Sequence, residues 1–315
     1  MRHQKKFRAG NSLSLRIFLV YIVLFPENID ICTGFSGLPV RMSYIKPTRF
    51  SYLPKPLDRL DFMGFFECDP FGNWLLFRRI IIGVVGWFTY FRYTTVNRTK
   101  IEGTEHLENL PINNVLFLSN HQTYFADVIA FFHVFCAVKW GFKDTILPPM
   151  YLFAPRARQY YVAANETMQK GILAKIFALG GALTIERSWR ADGREVKRSV
   201  DSSAVDKIQI ALKHGWVVSF PQGTTKPFAP IRKGTAHLIM ANNPIVIPVV
   251  INGFRRAFDK KGLRFKKRNT QLSVRFKAPM VFGPGESVEE MVEKIRKAIE
   301  QDIPERMDWM QGKEG

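Results

Sequence analysis

The stretch 115–128, VLFLSNHQTYFADV, decides how this chain is read. Val115 to Ser119 is a short apolar run bounded by polar residues, the mark of a buried strand. Asn120 and His121 follow it directly, and Asp127 lies six positions beyond His121. In α/β folds the reacting groups sit in loops at the ends of core strands. A histidine beside a carboxylate is a general-base arrangement. The carboxylate fixes the imidazole tautomer and stabilises the imidazolium that forms. Side chains five or six positions apart do not align on a regular helix. The two can meet only if the segment turns as a loop. Taken alone, the pair is also what a polar loop histidine with no role would give.

Working outward, strands and helices alternate from about residue 100. Strands are expected at 160–163, 183–185, 216–220, 245–251 and 272–276. Helices are expected at 126–139, in a stretch ending near Gly180-Gly181, at 195–213 and at 233–241. Near the C-terminus Ser287 and Glu290 make a capping box, and Val288, Met291, Val292, Ile295 and Ile299 form one apolar face. This alternation implies an α/β domain with a mixed, largely parallel sheet flanked by helices.

The N-terminal third differs. Residues 1–41 form a basic and apolar extension whose run Ile17 to Phe25 is too short to span a bilayer, which takes about 20 residues. Extension from a misassigned start, anchor and signal peptide all remain open, and Met42 is a possible true start. Residues 42–92 are read as a membrane-interfacial helical segment, and 93–315 as the main domain. In 80–91 an apolar run is flanked by Arg78, Arg79 and Arg92 and carries Trp87 and Tyr90, which suits a helix lying at the headgroups. A buried core helix is the other reading.

Composition narrows the partners. With 46% apolar residues the chain is a folded one. Its 46 Lys and Arg against 27 Asp and Glu give a net charge of +19, a field that attracts polyanions. Nucleic acid, an anionic bilayer and phosphorylated substrates all qualify, but no nucleic-acid motif is present, so no nucleic acid is expected. Cys32, Cys68 and Cys136 are scattered and form no CxxC pair. That disfavours a disulfide framework or a zinc site and fits a reducing cytosol.

Three further blocks carry chemistry. Phe220-Pro221-Gln222-Gly223-Thr224-Thr225-Lys226 follows a strand. Gly223 permits close backbone approach, the threonine hydroxyls donate hydrogen bonds and the cation attracts phosphate. Gly181 to Arg187 is an apolar strand ending on Glu186 and Arg187, and arginine suits bidentate phosphate contact. In IVIPVVING, 245–253, Pro248 interrupts a buried strand.

The order of these four blocks resembles the glycerolipid acyltransferase family, which includes the lysophosphatidic acid acyltransferases. The resemblance covers about residues 100–252. It implies that His121 is the base, that Asp127 orients it, and that Arg187 and the block Gln222, Gly223, Thr224, Thr225, Lys226 hold the acceptor's phosphate. It implies acyl transfer from acyl-CoA or acyl carrier protein, as donor substrate rather than cofactor, to the hydroxyl of a lysophospholipid in phospholipid biosynthesis. No metal is implied. Membrane lipids are the expected partners, at the cytoplasmic face. Three departures stand out. Five residues rather than four separate His121 from Asp127, Gln222 stands where the family has Glu, and Thr225 where it has Arg. The last two put the acceptor in doubt. A hydroxylated acyl-amino-acid lipid is the alternative acceptor. A non-catalytic basic protein binding membrane or nucleic acid is the rival from another class, supported by Lys260, Lys261, Arg264, Lys266, Lys267 and Arg268, which read as a hairpin tip.

Overall fold

A computed structural model describes residues 67–168, 172–185, 190–191, 194–195 and 202–302. The 1–41 extension, residues 42–66 and Arg187 lie outside them.

Seven strands form one sheet: β1 (Arg98–Glu102), β2 (Val115–Ser119), β3 (Gln159–Ala164), β4 (Ala182–Ile185), β5 (Trp216–Ser219), β6 (Ile245–Asn252) and β7 (Gln271–Phe276). Their order across the sheet is β1-β7-β6-β2-β5-β3-β4. Every pairing is parallel except β6 with β7, which is antiparallel. The sheet is therefore mixed and largely parallel, as the alternation predicts. β2 lies near its centre, and all five of its residues are buried. Val115 and Phe117 face one apolar cluster while Leu116 and Leu118 face the other. A strand covered on both faces has no polar alternation, which is why it reads as a continuous apolar run.

Helices α1 (Leu75–Thr94), α2 (Ala126–Lys139) and α3 (Ile172–Leu179) supply one face, and α4 (Ser202–His214), α5 (Lys233–Asn242) and α6 (Val288–Ala298) the other. The Ser287–Glu290 capping box is formed in both directions at the start of α6. Met291, Ile295 and Ile299 are buried beneath it.

α1 buries one face and exposes an apolar stripe on the other. Leu75, Ile82, Tyr90 and Tyr93 are buried in the core, and buried Arg78 pairs with buried Asp69. Its other face exposes Phe77, Ile80, Val84, Trp87, Phe88 and Phe91, a stripe at helical spacing. Phe88 is 82% exposed. No helix among the described residues is long and apolar enough to cross a membrane.

Two expectations change. The helix expected from 195 starts at Ser202, and Arg190–Ala191 pairs antiparallel with Arg194–Glu195 instead. Pro248 does not interrupt its strand, for β6 runs through it. In an extended strand the N–H and C=O of one residue point to the same side. The Pro248 carbonyl accepts from Lys277 N, just past the end of β7. The missing N–H therefore faces that side and leaves the β2 ladder whole.

Candidate active site

The site lies where β2, β5 and β6 deliver their C-terminal ends together. Asn120 fixes the first turn after β2. Its side-chain amide donates to Ile251 O at 2.9 Å and accepts from Ile251 N at 2.8 Å, so it closes on β6 as a backbone pair would. The chain then loops to α2, as the His–Asp spacing requires. His121 Nδ1 lies 2.9 Å from Asp127 Oδ2.

Asp127 is fully buried. Oδ2 also accepts from the N–H groups of Gln122 at 2.6 Å and Thr123 at 2.9 Å, and Oδ1 from the Thr123 hydroxyl at 2.7 Å. An ionised carboxylate is acceptor-only, so towards it His121 Nδ1 is the donor, and in the neutral imidazole the lone pair then lies on Nε2. Among the described residues Nε2 has no hydrogen-bond partner, and the side chain keeps 13% of its exposure. The ring stacks on Phe220, centroids 3.9 Å apart. Phe220 follows β5, so the two motif loops meet face to face.

The loop after Phe220 carries Gly223, Thr224, Thr225 and Lys226. Gly223 has φ +63° and its N–H closes a turn onto Phe220 O at 2.9 Å. The backbone N–H groups of Thr224 and Thr225 have no acceptor among the described residues. Gln222, expected to face the acceptor, is buried instead. Its Nε2 donates to Ala229 O at 2.9 Å and to Gln301 Oε1 at 3.1 Å. Gln301 also accepts from Phe228 N at 3.0 Å. The Gln222 side chain thus pins its own loop to the end of α6.

Sequence reading misses three contributors. Arg255 follows β6 and joins both loops. Its backbone N–H donates to Gln122 Oε1 at 3.1 Å and its guanidinium to Thr225 O at 2.5 Å. The basic segment after it joins the antiparallel strands β6 and β7 as a hairpin bridged at Phe258 and Phe265, and it packs on the catalytic loop. The carbonyls of Lys260 and Lys261 accept from Tyr124 N and Phe125 N, both at 3.0 Å, and so brace the catalytic loop. Arg92 of α1 binds the same segment, donating to Leu263 O at 2.8 Å. Tyr93 is the third, its hydroxyl donating to Ala126 O at 2.9 Å. Only Arg255 had a signal: it lies just beyond a core strand's end.

An apolar cleft of about 420 Å³, its open mouth included, runs beside α2 on the α1 side. Ile82, Val85, Val128, Ile129, Phe132 and Phe177 are among its walls. Val128 is the residue after Asp127, so the cleft starts beside the catalytic loop. Phe177 also stacks on Phe125. One polar wall residue, His133, is buried. Burial pushes its pKa down to about 3, so it is neutral. Thr89 donates to Val85 O at 2.7 Å and lies 3.1 Å from His133 Nε2, while Tyr151 OH lies 2.8 Å from Nδ1. The consistent assignment runs Tyr151 O–H to Nδ1, then Nε2–H to Thr89.

The family model described as Acyltransferase matches residues 98–252, which hold every strand of the sheet but β7. A comparison with curated proteins finds no match. Among solved structures, the chain is similar to the 1-acyl-sn-glycerophosphate (LPA) acyltransferase PlsC from Thermotoga maritima. The two share 16% identity over 76% of this chain and 84% of the other, with a TM-score of 0.45.

Proposed function

Since residues 98–252 belong to the acyltransferase family, we propose that the protein moves a fatty acyl group from acyl-CoA or acyl carrier protein to the hydroxyl of a lysophospholipid such as 1-acyl-glycerol-3-phosphate, at a membrane surface. One observation carries this reading: His121 is held at Nδ1 by a buried carboxylate, with Nε2 unpartnered among the described residues at a strand end.

His121 Nε2 removes the acceptor's hydroxyl proton as that oxygen attacks the thioester carbonyl. Asp127 stabilises the imidazolium. Collapse of the tetrahedral intermediate breaks the carbon–sulfur bond, and the imidazolium returns its proton to the departing thiolate. The oxyanion needs preorganised donors, and the Thr224 and Thr225 N–H groups suit this role better than Gly223 N, which its turn already uses. The apolar cleft beside α2 suits an acyl chain, because its walls are almost wholly apolar side chains. The exposed aromatic stripe of α1 suits the acyl boundary of a bilayer, with cations nearby for the headgroups.

The test is mass spectrometry of lipids after incubating the purified protein with acyl-CoA and a panel of lyso-lipids. Acylation of lysophosphatidic acid or a related lysophospholipid is expected. Acylation only of a phosphate-free hydroxy-acyl lipid would favour the other acceptor. No acylation from acyl-CoA or from acyl carrier protein would overturn the reading.

A further inference from the structure

We infer that Arg255 is the cation that receives the acceptor's phosphate, replacing in space the arginine that the chain lacks at position 225. The inference rests on the acyl-transfer reading for the identity of its ligand.

Thr225 has no charge, so the loop after β5 loses its guanidinium at the place where the acceptor block would carry one. The structure returns one from another strand. Arg255 Nη2 donates to the backbone carbonyl of Thr225 itself, at 2.5 Å. The guanidinium therefore arrives at the residue from which the missing side chain would have extended. Arg255 is held at its other end too, by its own N–H to Gln122 Oε1. Gln122 adjoins His121. A single residue thus contacts the loop that holds the base and the loop proposed to hold the phosphate.

The group is free to bind an anion. A guanidinium has five N–H donors in a fork that fits phosphate, and Thr225 O takes one donor. Among the described residues no carboxylate pairs with Arg255, while other surface arginines such as Arg275 and Arg296 are paired. Its surroundings raise the local potential further. Residues 255–268 hold Arg255, Arg256, Lys260, Lys261, Arg264, Lys266, Lys267 and Arg268 against one acid, Asp259. That acid is already engaged, accepting from the N–H groups of Leu263 and Arg264. Lys226 is the competing cation. Its side chain makes no hydrogen bond or ion pair among the described residues, and a flexible ammonium offers a point charge rather than a fork. The bland alternative is that Arg255 merely braces Thr225.

The experiment uses the full chain as wild type, Arg255→Ala and the double variant Arg255→Ala, Thr225→Arg. Two probes are compared, lysophosphatidic acid and a monoacylglycerol of the same acyl chain. Equilibrium binding, KM and kcat are measured for each. Arg255→Ala should weaken binding of lysophosphatidic acid and raise its KM roughly 10- to 100-fold, with little change for the monoacylglycerol. Restoring an arginine at 225 should recover most of the loss. Three results would overturn the inference: a change below about twofold, an equal loss with both probes, or no rescue, the last two marking a brace. Absence of lysophosphatidic acid binding by the wild type would overturn it as well. Binding that depends on Arg255 without any acyl transfer would uphold the residue and overturn the activity.

Discussion

Gly262 stands against the first residue of α2: a Cβ added to it would lie 2.5 Å from Ala126 N and 2.9 Å from the Thr123 hydroxyl oxygen. Its φ is +79°, a conformation glycine adopts without penalty and other residues do not. The neighbour is backbone, so it cannot rotate away. Thr123 and Ala126 flank the turn that aims Asp127 at His121. Gly262→Ala should therefore lower kcat by about tenfold or more, since a 1 Å misplacement can cost about 10² in rate. Thermal stability should fall by only a few degrees. Steady-state kinetics beside a melting curve check this, and wild-type kcat would show that the basic segment does not position the catalytic loop.

His121→Ala should lower acyl transfer by roughly 10² to 10⁴ with circular dichroism unchanged, the usual effect of losing a general base. Asp127→Asn should be comparably inactive and also less stable, by about 1–3 kcal/mol, because its amide nitrogen would face buried N–H donors. Urea unfolding separates the two variants. Activity within a few-fold of wild type in His121→Ala would end the assignment.

The neutral state of His133 gives a pH dependence with a definite sign. Its folded pKa, pushed by burial to about 3, lies below the 6.5 of an unperturbed histidine. Between these values the unfolded chain binds a proton that the folded chain does not. Stability therefore falls as pH drops below about 6.5, by about 1.4 kcal/mol per unit, or roughly 2 kcal/mol at pH 5. His133→Gln should remove that increment from the difference in unfolding free energy between pH 7 and pH 5. An identical pH profile in the variant would show that His133 is charged in the fold or hydrated.

The exposed stripe of α1 makes the fourth prediction. The inner face of that helix is core, so surface substitutions test it better than deletion. Phe88→Asp together with Phe91→Asp should leave melting temperature nearly unchanged and abolish sedimentation with anionic vesicles. Undiminished sedimentation would assign the attachment to the basic segment or to the N-terminal residues instead.

How much was legible follows from the range of the forces involved. β2 was readable because its signal is local: five residues buried on both faces. The capping box of α6 was readable for the same reason, since both partners lie within one turn. The His121–Asp127 contact needed only the argument that a helix would separate the two. Arg255 was not readable as a partner of Thr225, because thirty positions separate them and the sheet order brings them together. The burial of Gln222 depended equally on Gln301, seventy-nine positions away. The short strand at Arg190–Ala191 was missed because two residues carry no periodicity, and its partner Arg194–Glu195 overlaps the expected helix only at Glu195.

The brace that Lys260 and Lys261 give to Tyr124 and Phe125 also sets a clock on synthesis. At about 5–20 residues per second, some 140 further residues, or roughly 7 to 28 seconds of translation, pass between His121 and Lys261. During that time the catalytic loop has no Ile251 to receive Asn120 and no strap behind Phe125. A nascent chain therefore lacks these supports for its base until the segment after β6 has been made.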